Sequence, residues 1–149
     1  MGSSARYGER TAARCQALQL LFQADACDRS VDDVLAGDDI LVTEGPKGID
    51  PFAAELARGA DEHKSKLDAA IAEVSKNWSI GRIAQVDLNL LRLAVYEMTY
   101  VDQVDMAVTI NEFVRLAKDF GGSDDSFRFV NGLLGQVAHR IEGEGDHAS

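Results

Sequence analysis

Two helical patterns joined by a short polar turn, VTINEFVRLAKDFGGSDDSFRFVNGLL from Val108 to Leu134, constrain this chain more than any other feature. Thr109 and Glu112 have capping-box spacing: the Thr hydroxyl can accept from the amide three residues on while the Glu carboxylate reaches back to the Thr amide. A helix is therefore expected to start at Thr109. Ile110, Phe113, Val114, Ala117 and Phe120 follow at helical spacing, and Gly121 and Gly122 are expected to supply the left-handed residue that ends it. The next helix is expected to begin within Ser123 to Ser126, where short polar side chains satisfy free amides and Asp charges suit the positive end of the dipole. Its apolar stripe is Phe127, Val130, Leu134, Val137 and Ile141.

The remaining chain also reads as helices, with no convincing strand. Glu9 to about Ala26 puts Ala13, Ala17, Leu20, Leu21 and Ala24 on one face, widened by Leu18 and Phe22. Ser30 with Asp33 opens a short helix from Val31 to Ala36, stopped at Gly37. Gly37 to Asp50 holds Gly37, Gly45, Pro46 and Gly48 and reads as a loop, in which Ile40, Leu41 and Val42 can form a packed turn. Asp50-Pro51 caps a further helix, with Pro at the first helical position where its missing amide costs nothing. Phe52, Leu56, Leu67, Ile71 and Val74 continue it to Lys76, with a bend near His63 to Ser65. Trp78 and Ser79 start a short turn, and a buried helix from Gln85 to Tyr100 follows. The expected architecture is all-α: six or seven helices in two packed bundles, N-terminal and C-terminal, forming a single domain over residues 1–149. Residues 1–8 and 142–149 are expected to be flexible tails.

A chain of 149 residues, 46% hydrophobic, is long enough to bury a substantial core. No stretch approaches the roughly 20 apolar residues that span a bilayer, and Met1 to Gly8 lacks the apolar centre of a signal peptide, so a cytoplasmic location is expected. Cys15 and Cys27 are too few for a disulfide framework and are expected to be reduced and structural. His63, His139 and His147 are scattered, so no metal site is expected. No Gly-rich phosphate loop, apolar carboxylate pair or adjacent Cys and His is legible, and neither a catalytic residue nor a cofactor is expected.

Charge is unevenly spread. The net is −10, but Met1 to Phe22 carries Arg6, Arg10 and Arg14 against Glu9 alone, a net of +2, while every later segment is acidic. An RNA approaching near the first helix and repelled elsewhere fits this partition. A solvated acidic surface serving solubility fits the remainder equally well.

Three segments, VDLNLLRLAVYE at Val86 to Glu97, INEFVRLAK at Ile110 to Lys118 and FVNGLL at Phe129 to Leu134, together resemble the NusB family of transcription antitermination proteins. The resemblance is clear from about Phe52 to Ile141. It implies a NusB-like fold and a small all-helical RNA-binding protein without catalytic activity. It further implies binding to the boxA element of nascent ribosomal RNA, pairing with the ribosomal protein NusE, and indirect contact with other Nus factors and RNA polymerase, with no membrane role.

The RNA-binding residues suggested by the resemblance and by physics form three groups. Arg10 and Arg14 stand one helical turn apart, so their guanidinium groups can reach successive phosphates, with Arg6 preceding the helix. Alternatively, they solubilise a helix end. The family carries an arginine-rich run here, where this chain has Thr11, Ala12 and Ala13 after Arg10. Ser126, Arg128 and Phe129 form the second group: Phe129 stacks a splayed base or, by periodicity alone, joins the core, and Arg128 meets phosphate. Gln85 and Arg92 flank the third; Arg92 could equally pair with Glu97 or Glu112 inside the fold.

A NusE surface is expected around Phe22, Asp87 and Glu97 by analogy with the family, since acidic groups steer a basic ribosomal protein. Gly132 and Gly135 each cost about 1 kcal/mol relative to Ala inside a helix. Close approach of a neighbouring helix would offset that, or access for a partner; Asn131 likewise bridges backbone internally or meets RNA. A homodimeric protein-interaction module with weak or no RNA binding is the alternative function.

Overall fold

The computed structural model describes residues 7–37, 48–76 and 79–148, of which 145–148 are described by backbone only. Arg6, the turn expected at Ile40, Leu41 and Val42, and Trp78 lie outside the described residues. Among those described there are seven α-helices and no strand: α1 (Glu9–Cys27), α2 (Val31–Ala36), α3 (Pro51–Glu62), α4 (Lys64–Val74), α5 (Gln85–Tyr100), α6 (Met106–Phe120) and α7 (Ser126–Ala148), with a 3-10 turn at Ile80–Arg82. They belong to two compact units, Met1–Glu62 and His63–Ser149. The bend expected near His63 is a break, since α3 ends at Glu62 and α4 begins at Lys64.

In the first unit α1 packs on α3 through small residues. Ala13, Ala17, Leu20, Leu21 and Ala24 of α1 and Ala53, Leu56, Ala57 and Ala60 of α3 are all buried, and short side chains let two backbones approach closely. The Ser30 hydroxyl accepts from the Asp33 amide at 3.0 Å, so α2 starts where its sequence says. The Val31 amide donates to the Asp61 carboxylate at 3.0 Å, which ties α2 to α3. Asp50 does two jobs at the start of α3: its Oδ1 accepts from the Phe52 amide at 2.8 Å, and its own amide donates to Gln16 Oε1 of α1 at 2.9 Å. α1 closes on Asp28 in the left-handed conformation (φ 53°), which Asp tolerates better than most residues. Cys15 is buried and Cys27 is exposed, so only the first has the structural setting expected of both.

The second unit is built around α5, against which α4, α6 and α7 all pack. Leu88, Leu90, Leu91, Leu93, Ala94, Val95 and Met98 are buried, and a helix apolar on every side belongs in a core. Three buried polar residues of α5, Asp87, Arg92 and Glu97, each reach a different surrounding element, and a fourth, Asn89, bonds to Arg92 within the helix. Arg92 grips Asp68 of α4 through two bonds, at 2.7 and 2.9 Å, and its Nη1 donates to Asn89 at 3.2 Å. Its partner is thus neither Glu97 nor Glu112, the candidates named from sequence. The Asp87 carboxylate accepts from the Gly122 amide and the Ser126 hydroxyl, and Glu97 accepts from the Thr109 hydroxyl. Buried groups so paired avoid the desolvation cost that each would carry alone.

Three sequence expectations are corrected here. The α6 helix starts at Met106, three residues before Thr109, because Asp105 is the cap: its carboxylate accepts from the Ala107 and Val108 amides at 2.9 and 3.2 Å. Gly121 ends α6 without a left-handed conformation, at φ −59° and ψ 159°. Glycine is needed there for space, since a Cβ would lie 2.4 Å from both the Ala117 carbonyl oxygen and the Ser126 Cβ. Gly132 and Gly135, expected beneath a neighbouring helix or open to a partner, have nothing within 4 Å of where a Cβ would sit. Close packing is therefore not what offsets them. The α7 helix runs to Ala148.

Candidate nucleic-acid interface

The basic N-terminal segment places its arginines unequally. Arg10 is exposed in the first turn of α1, and its guanidinium lies over the Phe52 ring with Cζ 3.9 Å from the centroid. Arg14 is only 6% exposed; its Nη1 donates to the Thr11 hydroxyl at 3.3 Å and its Cζ is 6.0 Å from the same ring. Four residues of helix therefore bring both cations onto one aromatic side chain, but leave only the first on the surface. Phe52 comes from α3 and was not among the sequence candidates. It could not be found locally, because its ring reaches Arg10 only through the packing of α3 on α1. Glu9, Asp50 and Glu55 line the same groove.

In the second unit, Ser126 and Phe129 share a cavity of about 410 Å³ with Arg82, Asp87 and Gly122. Ser126 is buried and accepts from the Ser123 amide at 3.0 Å while donating to Asp87 at 2.9 Å, so its hydroxyl is occupied internally. Phe129 is half-buried, with a face on this cavity. Arg82, at the end of the 3-10 turn, is the exposed cation here that the sequence reading did not select; a lone arginine in a turn carries no pattern to flag it.

The other candidates disperse. Arg128 is exposed and pairs with Asp125 at 3.3 Å, a solvated i, i+3 contact of little energetic weight. Gln85 is exposed at the start of α5. Arg92 is buried on Asp68, with its donors directed inward. Of the residues expected at a protein partner, Phe22 is 67% exposed on α1, whereas Asp87 is 6% exposed and Glu97 wholly buried. Asn131 is exposed on α7. Among the described residues no group of His, Cys, Asp and Glu is arranged to hold a metal ion. No helix among them is long and apolar enough to cross a membrane.

The chain has well-defined relatives. The NusB family model matches residues 11–139. The transcription antitermination protein NusB of Geobacter sulfurreducens is 39% identical over 141 residues, covering 93% of this chain and 99% of that protein. That of Bacillus subtilis is 41% identical over 134 residues, covering 90% and 98%. Among solved structures, T. maritima NusB matches with a TM-score of 0.74 at 33% identity, over 89% of this chain and 92% of that one. A structure of the antitermination factors NusB and NusE in complex with dsRNA shares the fold, at a TM-score of 0.68 and 24% identity over 88% and 96%. Helices capped and packed as described, a family pattern spanning residues 11–139 and relatives near 40% identity over almost their whole length lead to one assignment: this chain belongs to the NusB family of transcription antitermination proteins.

Proposed function

We propose that the chain is an RNA-binding antitermination factor that acts with NusE on the boxA element of ribosomal RNA transcripts, in the cytoplasm and without catalysis of its own. Other Nus factors and RNA polymerase are reached through that assembly. The observation that carries this reading is Arg10: an exposed guanidinium, held on Phe52, in the one net-positive segment of an acidic chain. Family membership supplies the context, since the relatives are named transcription antitermination proteins.

With a net charge of −10 and one buried arginine of three, phosphate contacts from this chain alone are few, so intrinsic RNA affinity is low. A basic partner supplies what is missing, and acidic surfaces steer it into place. Phe22, a large apolar side chain left in solvent, is the anchor proposed for that partner.

The test is boxA binding by the wild type and by Arg10→Ala, each with NusE bound and without it, over a series of salt concentrations. The expected result is tight, salt-sensitive binding only with NusE, weakened by Arg10→Ala at unchanged helicity. An Arg10→Ala complex that binds boxA like wild type removes α1 from the RNA surface. Should the free protein then prove to be a dimer, the homodimeric interaction module takes its place.

A further inference from the structure

We propose that Arg10, whose guanidinium lies over the Phe52 ring, is a stacking platform for an unpaired nucleobase of single-stranded RNA, with Phe52 as the residue that positions it. The proposal rests on the RNA-binding reading of α1 given above and assigns a chemical role within it.

The geometry supports a platform. A guanidinium carbon 3.9 Å over a ring centroid is in close cation–π contact, so Arg10 rests against Phe52. Arg10 is exposed, and a planar guanidinium stacks on π-systems, bases included. The backbone that carries the ring is held: Asp50 accepts from the Phe52 amide at 2.8 Å, and its own amide donates to Gln16 of α1 at 2.9 Å. The two layers of the stack thus come from helices locked together at that point, and little freedom is lost when a third layer is added.

The surrounding charge selects a base over a phosphate. Glu9, Asp50 and Glu55 line the groove with Arg10, Pro51 and Phe52, so three acidic residues share it with one exposed arginine. A phosphodiester placed there meets net repulsion. An uncharged base does not, and stacking on the face leaves the guanidinium N–H groups, which point outward in the plane, outside the stack. Arg14 does not alter this balance, because it is buried against Thr11 and points its charge into the fold.

Arg10→Lys separates the roles, since it keeps the charge and removes the plane. Affinity for boxA RNA is measured in the complex with NusE, over a salt series, for the wild type, Arg10→Lys, Arg10→Ala and Phe52→Leu. Each is also measured on strands in which single nucleotides are replaced by abasic sites. The proposal expects Arg10→Lys and Phe52→Leu to lose about fivefold or more, the scale of one base–aromatic stack, with the salt slope unchanged. It also expects one abasic position to weaken wild type while leaving Arg10→Lys unaffected. Wild-type binding by Arg10→Lys with loss in Arg10→Ala overturns the platform and leaves a phosphate contact, so the RNA-binding reading survives. Wild-type binding by Arg10→Ala overturns both. Unchanged helicity and melting of Arg10→Lys keep its result interpretable if Phe52→Leu disturbs the α1–α3 packing.

Discussion

The Asp87 carboxylate receives the Ser126 hydroxyl at 2.9 Å and, through its other oxygen, the Gly122 amide at 3.1 Å. One side chain near the start of α5 therefore fixes both the turn after α6 and the first residue of α7. Ser126 returns the constraint by accepting from the Ser123 amide at 3.0 Å. The polar sequence between the two signature helices is a closed network with its acceptor supplied from another helix.

Asp87→Ala leaves the buried Ser126 hydroxyl and the part-buried Gly122 amide without their acceptor and is expected to cost about 1 to 3 kcal/mol. Thermal denaturation followed by circular dichroism reads this directly. Charge reversal at Asp87 is expected to cost more, which makes it a poor probe of NusE docking: weakened binding would reflect a displaced turn. A Ser126→Ala melt identical to wild type would count against the network.

The glycines of α6 and α7 are expected to respond with opposite signs. Gly121→Ala forces a methyl group into space already filled by a backbone oxygen and the Ser126 side chain, at a cost of about 2 kcal/mol or more. Gly132→Ala and Gly135→Ala point into open space on a helix and are expected to stabilise by about 0.5 to 1 kcal/mol each. Chemical denaturation midpoints of the three single variants decide the matter.

Leu134 is fully buried in the α7 stripe. Leu134→Ala is expected to lower unfolding free energy by about 2 to 5 kcal/mol, the range for a core leucine whose cavity closes only partly. A melting temperature within a degree of wild type would remove Leu134 from the core.

Phe22→Ala should leave stability within about 0.5 kcal/mol of wild type, because the ring is already in solvent. If Phe22 anchors NusE, the same change weakens that association by at least about tenfold, mostly through faster dissociation. Titration calorimetry with NusE, alongside a melt, distinguishes an anchor from an idle surface aromatic.

Features whose cause lies within a few residues were legible from sequence. Ser30 with Asp33 and Asp50 with Pro51 opened their helices where expected, and the apolar run of α5 announced a central element. Features decided by distant partners were not. Thr109 has the spacing of a cap, yet Asp105 stands a turn earlier, and the partner that takes the Thr109 hydroxyl is Glu97. The Asp68 that neutralises Arg92 lies 24 residues away. The candidate site divides the same way. The charge partition pointed to Arg10, but that Arg14 turns inward and that Phe52 lies beneath Arg10 follow from how α3 meets α1.

The Thr109 hydroxyl bond to Glu97 separates two jobs that a capping box would combine. Asp105 decides where the helix begins, while Thr109, a turn further in, decides where it sits against α5. The connection from Val101 to Asp105 is thereby relieved of setting the alignment of α6, so a residue inserted there need not shift Phe113 or Leu116 out of the core. The turn can therefore change in length or chemistry while the Ile110-Asn111-Glu112 segment that follows keeps its place against α5.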